Sequence, residues 1–170
     1  MVKHFGRFPI GDLTVSFPYQ FVYPEQYEYM KELKATLDSE VRTYIAHSDQ
    51  GHAILEMPTG TGKTVCLLSL IVSYIRVKQP NFKLVYCTRT IVEMEKTLSE
   101  LKFVMDQRAI DFPFEDPILA MSLSSRKNLC IHEKVSALDD REKVDGECRS
   151  RTASWIRDSK SREEYSSLKP

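Results

Sequence analysis

The residues best suited to chemistry are Met57-Pro58-Thr59-Gly60-Thr61-Gly62-Lys63-Thr64. Gly60 and Gly62 allow a backbone curl whose N–H groups point inward, and a helix starting near Lys63 would add its positive end. An ammonium and a hydroxyl follow directly, in Lys63 and Thr64. Such a group suits a polyphosphate: Lys63 would reach the β- and γ-phosphates, and Thr64 would hold the Mg²⁺ that neutralises them. The usual pattern G-x-x-x-x-G-K-[ST] opens on glycine, whereas Met57 stands at that place. The bland alternative is a glycine-rich turn that happens to contain Lys-Thr.

This loop needs a strand before it and a helix after it. Residues 53–57 form a compact apolar run, and 65–77 read as a helix that is apolar nearly all round and therefore buried. Further strands are predicted at 13–17, ending at Pro18, at 83–87 and at 118–122. Pro24 and Glu25 open a helix in which Tyr27, Met30, Leu33, Leu37, Val41 and Ile45 recur at helical spacing, until Ser48-Asp49-Gln50-Gly51 stops it. Gln79-Pro80-Asn81 breaks the next helix. Another runs from about Ile91 to Gln107, with Leu98, Leu101, Val104 and Met105 as its apolar face. Apolar strands joined by helices predict an α/β fold: a parallel sheet with helices on both faces.

Composition is globular, with 42% hydrophobic and 28% charged residues and a formal net charge of zero. Nucleic-acid contact would therefore need local clusters of Arg and Lys. No secretory signal pattern and no bilayer-length apolar run is present, so an intracellular protein and no membrane partner are expected. The four cysteines, Cys66, Cys87, Cys130 and Cys148, then fall in a reducing compartment. Cys66 and Cys87 read as small core residues. By spacing alone, Cys130 and Cys148 are two unrelated thiols. Beyond Ser124 charge is dense and large apolar residues are few, so 124–170 is expected to be poorly ordered by itself.

The segments Phe17-Pro18-Tyr19, Tyr23-Pro24-Glu25-Gln26, Glu56–Thr64, Tyr86–Thr90, Leu123–His132 and Val144–Cys148 occur in the order that marks one family. From about Leu13 the chain resembles the XPD-family superfamily 2 iron–sulfur DNA helicases, which also lack the first glycine. The resemblance implies a P-loop NTPase, RecA-like, fold. It divides the chain into 1–123, the N-terminal part of an ATP-binding motor domain, and 124–170, the start of an iron–sulfur insertion. The sheet would be incomplete and the chain an N-terminal fragment.

By the same resemblance Gln26 reads the adenine edge, since an amide both donates and accepts. The residues alone favour a water-exposed helix start. Thr88, Arg89 and Thr90 would grip single-stranded DNA, which a plain helix cap with a solvated Arg explains equally well. Arg126 and Lys127 would also contact DNA, or form a solvated charge pair. Cys130 and Cys148 would be metal ligands, the first two thiolates of a [4Fe–4S] cluster that these residues would not hold alone.

The implied setting is a TFIIH-type complex in the nucleus, acting in excision repair and transcription initiation with ATP and Mg²⁺. No Asp-Glu-x-His occurs in the 170 residues, so no catalytic residue is assigned and ATP hydrolysis by this chain is left uncertain. A non-enzymatic nucleotide- or partner-binding module stays open, and an unrelated P-loop ATPase or kinase fits the ordered segments less well.

Overall fold

A computed structural model describes residues 2–3, 6–46, 53–78 and 83–153. The chain divides into two compact units, Met1–Met121 and Ser122–Pro170.

In the first unit, strand β1 (Val2–Lys3) pairs antiparallel with β4 (Phe21–Val22), and β2 (Arg7–Ile10) pairs antiparallel with β3 (Leu13–Ser16). The β2–β3 pairing runs from Ile10 opposite Leu13 to Arg7 opposite Ser16. Two residues, Gly11 and Asp12, make the turn, and Gly11 has φ 60°, as such tight hairpins require. Strand β3 matches the sequence expectation to within one residue. Its inward Leu13 and Val15 are buried while Thr14 faces water.

Helix α1 (Pro24–Ala46) opens on a proline at its first position, where a missing N–H costs nothing. Its Met30 is fully buried, and Tyr27, Leu33 and Leu37 pack against the core. The expected stop at 48–51 lies outside the described residues, as does the break at 79–81. Helix α2 (Lys63–Lys78) is the core element, burying Val65, Cys66, Leu68, Leu70, Val72 and Tyr74. It packs against α1, β3 and α3 (Ile91–Asp111).

Helix α3 closes the unit through its C-terminal half. Val104 is buried, and Arg108, only 2% exposed, donates to both carboxylate oxygens of Glu115 at 2.6 and 2.7 Å. Arg108 also donates to Ser73 Oγ at 2.9 Å and lies 4.5 Å from the Phe112 ring centroid. Each guanidinium nitrogen thus has a partner, which is what makes a buried charge tolerable.

The parallel sheet expected from sequence differs from what is observed. Among the described residues both sheets are two-stranded and antiparallel. Residues 53–57, 83–87 and 118–122 join neither ladder. Apart from the buried Met57, their apolar side chains are largely uncovered, with Ile54 100%, Val85 82% and Leu119 86% exposed. The physical reason is lateral: a parallel strand has no hairpin partner and forms only when distant strands flank it and helices cover both faces.

The second unit holds α4 (Arg126–Leu129), α5 (Glu133–Ser136) and α6 (Arg141–Thr152). Helix α6 packs against both shorter helices, burying Val144 and Val135. Asp140 caps α6 by accepting from the Glu142 amide at 3.0 Å. Residues 126–152, expected to be poorly ordered, are therefore largely helical around a small apolar contact.

Candidate functional site

Residues 57–64 link the core to the start of α2. Met57 is buried and belongs to the same apolar cluster as Met30, Leu68 and Leu70, so it anchors the entering limb. Its occurrence where the usual pattern has glycine is thereby explained: a side chain here has somewhere to go. Gly60 and Gly62 have φ of 80° and 78°, backbone that a side chain would strain. The first helical bond of α2 runs from the Cys66 amide to the Gly62 carbonyl at 3.1 Å. The amides of Lys63, Thr64 and Val65 precede it and have no acceptor inside the helix.

The loop is held by its own polar groups. Thr61 Oγ1 donates to the Pro58 carbonyl at 2.6 Å, and Lys63 Nζ donates to the Met57 and Pro58 carbonyls at 2.5 and 3.1 Å. The ammonium therefore sits across the loop, tied to neutral carbonyls that a phosphate anion would outcompete. Thr64 is half-buried one residue further on, while Pro58, Thr59 and Gly60 are exposed. These residues fit a Mg²⁺-nucleotide: curled backbone, helix start, ammonium and hydroxyl lie together.

Gln26 is not the exposed helix-start residue that its sequence setting favoured. It is 6% exposed, accepts from the Tyr23 amide at 3.0 Å and donates to the Thr61 carbonyl at 2.8 Å. The structure thus brings Gln26 to the loop, across a separation that no local pattern reveals.

Thr88, Arg89 and Thr90 lead into α3. Thr90 is its N-cap, its hydroxyl accepting from the Glu93 amide at 3.2 Å. Glu93 returns the bond to the Arg89 amide at 3.2 Å, a variant of the capping box that Thr90-x-x-Glu93 signals in sequence. Partial burial pushes the Glu93 carboxyl up, but the Arg89 amide and guanidinium outweigh it and hold the group below its ordinary value. Arg89 is otherwise solvated, its side chain 91% exposed. Thr88 Oγ1 donates to the Thr90 carbonyl at 3.0 Å. The capping alternative is thus realised, and the exposed guanidinium stays available to a phosphate.

In the second unit, Arg126 is exposed at the start of α4, and Lys127 Nζ donates to the Asp139 carbonyl at 2.5 Å. Cys130 follows α4 and Cys148 lies in α6; both are half-buried free thiols. Among the described residues no three His, Cys, Asp or Glu side chains gather as a metal site. Two thiols do not satisfy a four-iron cluster, so the described residues do not fit that group by themselves. Cys66 is a core residue as expected, and burial pushes its thiol up to about 12. Cys87 is exposed, contrary to its reading as a core residue, because the segment it ends has no covering layer.

Against known proteins, residues 86–169 match the DEAD_2 family model. The chain is 56% identical over 152 residues to the general transcription and DNA repair factor IIH helicase subunit XPD of Arabidopsis thaliana, covering 88% of this chain and 19% of that protein. It is 47% identical to the Schizosaccharomyces pombe subunit of the same name, over 89% of this chain and 18% of that protein. For the Saccharomyces cerevisiae subunit XPD/RAD3 the identity is 44%, over 86% and 18%. The chain thus spans about a fifth of the length of the curated relatives it matches. The segments Tyr86–Thr90, Leu123–His132 and Val144–Cys148 fall within the residues that the family model matches, and the chain belongs to the XPD family of helicases.

Proposed function

We propose that these residues form the nucleotide-binding part of an ATP-dependent DNA helicase of excision repair and transcription initiation. The observation that carries the reading is the loop at 57–64, whose left-handed glycines deliver Lys63 and Thr64 to the first turn of α2. Once Lys63 leaves the Met57 and Pro58 carbonyls, amides, ammonium and hydroxyl of this one turn would together stabilise a triphosphate with Mg²⁺. The P-loop NTPase fold, with 53–57, 83–87 and 118–122 as parallel strands once flanked, belongs to the same proposal, as does the division at 123/124. A nuclear location and assembly with TFIIH-type subunits follow from the relatives' names. Thr88, Arg89, Thr90, Arg126 and Lys127 would contact single-stranded DNA. Cys130 and Cys148 would contribute to a [4Fe–4S] cluster only together with further ligands.

Lys63 and Thr64 bind and orient the nucleotide, while hydrolysis needs a carboxylate to position water. The Asp-Glu-x-His pattern that supplies it in this family does not occur in the sequence. These residues alone should bind nucleotide and not turn it over. Calorimetric titration with Mg²⁺ and a non-hydrolysable ATP analogue tests this. Binding that Lys63→Ala abolishes, with the melting temperature retained, is the expected result; equal binding by both proteins would refute the role of Lys63. Turnover near ~1 s⁻¹ or faster, within the ordinary enzyme range, would contradict the inactive reading.

A further inference from the structure

We infer that Gln26 is a positioning residue for the phosphate loop, holding the Thr61 carbonyl with one half of its amide while the other half stays available to a base. This deepens the nucleotide-binding reading and rests on it. A glutamine amide offers two N–H donors and two oxygen lone pairs. Here one lone pair accepts from the Tyr23 amide at 3.0 Å, and one N–H donates to the Thr61 carbonyl at 2.8 Å. One donor and one acceptor remain, the number an adenine edge requires at N7 and N6. Base reading and loop holding thus draw on different halves of the same group and do not compete.

Three further observations point to positioning. Gln26 is 6% exposed, so its amide is fixed by its partners and not by water. Thr61 is itself held at its hydroxyl, through the 2.6 Å bond to the Pro58 carbonyl, so Gln26 secures the other side of the same residue. Gly62 lies against the amide: a Cβ there would fall 3.2 Å from Gln26 Nε2, in backbone with φ 78°. The side chain therefore sets the inner wall of the turn immediately before Lys63.

The test uses a ligand without a base. Inorganic tripolyphosphate, ATP and GTP are titrated, each with Mg²⁺, into the wild-type chain, Gln26→Ala and Gln26→Glu, with circular-dichroism melts of each. Loss of one hydrogen bond to the loop should weaken tripolyphosphate binding by about five- to tenfold in Gln26→Ala. Gln26→Glu still accepts from Tyr23 but sets a carboxylate against the Thr61 carbonyl, so its loss should be at least as large. Its binding relative to wild type should recover as the pH falls towards the carboxyl pKa, because protonation restores a donor. A merely structural role would not produce that recovery. If both variants bind tripolyphosphate as wild type does and lose only the preference for ATP over GTP, Gln26 reads the base alone and the inference fails. If the wild-type chain binds neither ATP nor tripolyphosphate, the nucleotide reading falls and takes this inference with it.

Discussion

The β2–β3 hairpin and the three apolar segments at 53–57, 83–87 and 118–122 have similar apolar character and opposite fates. In the hairpin, Ile10, Leu13 and Val15 are almost wholly buried; in the segments, Ile54, Val85 and Leu119 are almost wholly exposed. The hairpin finds its partner across a two-residue turn, so its ladder closes locally and its inner face meets α2. The segments have no such partner, because parallel neighbours arrive only through long crossovers. Apolar character therefore states that a strand can be buried, while topology decides whether anything covers it.

The sharpest way to break this comparison is to truncate one residue in each region. Leu70 in α2 is fully buried, and Leu70→Ala should cost about 2–5 kcal/mol, as core truncations do. Val85→Ala, at an exposed site, should stay within about 0.5 kcal/mol of wild type. Equal losses in chemical denaturation would mean that 83–87 is packed after all.

Next in size is Arg108, whose pairing to Glu115 and Ser73 joins α3 to the centre of the unit. Arg108→Ala removes a matched buried cation and should destabilise by about 2–4 kcal/mol. Arg108→Lys should recover only part of this, since an ammonium cannot bond both carboxylate oxygens in the same plane. Full recovery by lysine would show that charge alone, and not the fork, matters.

Thr90→Ala should cost about 1 kcal/mol through loss of the α3 cap, and Thr90→Ser should restore it. If single-stranded DNA binding falls in the alanine variant and returns with serine, cap and DNA contact share the hydroxyl. Unchanged stability in Thr90→Ala would show the cap to be unimportant.

The smallest effect concerns the hairpin turn. Bonds from Lys34 and then Lys78 hold the Asp12 carboxyl well below its usual range. An acid lowered in the folded state stabilises above its unfolded pKa, near ~3.9, and that contribution is lost as pH falls through the folded value. Asp12→Asn should thus melt slightly below wild type at neutral pH, with the gap closing under acid. A gap independent of pH would assign the effect to something other than charge.

How much could be read from residues follows the same local-versus-distant line. Helices α1, α2 and α3 were legible because Pro24 and the apolar periodicities are local signals; the Thr90–Glu93 capping pair, equally local, was not read. Strand β3 was legible by its alternation. Its partner β2 was missed because Pro9 interrupts the run, although Gly11-Asp12 is a recognisable two-residue turn. The loop at 57–64 lies in consecutive residues and so was visible whole. Its support was not: Gln26 meets Thr61 across 35 positions, and Met57 joins a core cluster that also draws on Ile10, Met30 and Val104. Cys87 misled for the reason its whole segment did, since burial was inferred from composition and no layer covers it.

The central claim is that the loop at 57–64 receives a triphosphate. A structure of the chain with Mg²⁺ and a non-hydrolysable ATP analogue tests it most directly. The account predicts Lys63 Nζ released from the Met57 and Pro58 carbonyls and turned to the β- and γ-phosphates, with the amides at the start of α2 facing them. A nucleotide bound elsewhere, with Lys63 still on those carbonyls, would contradict it.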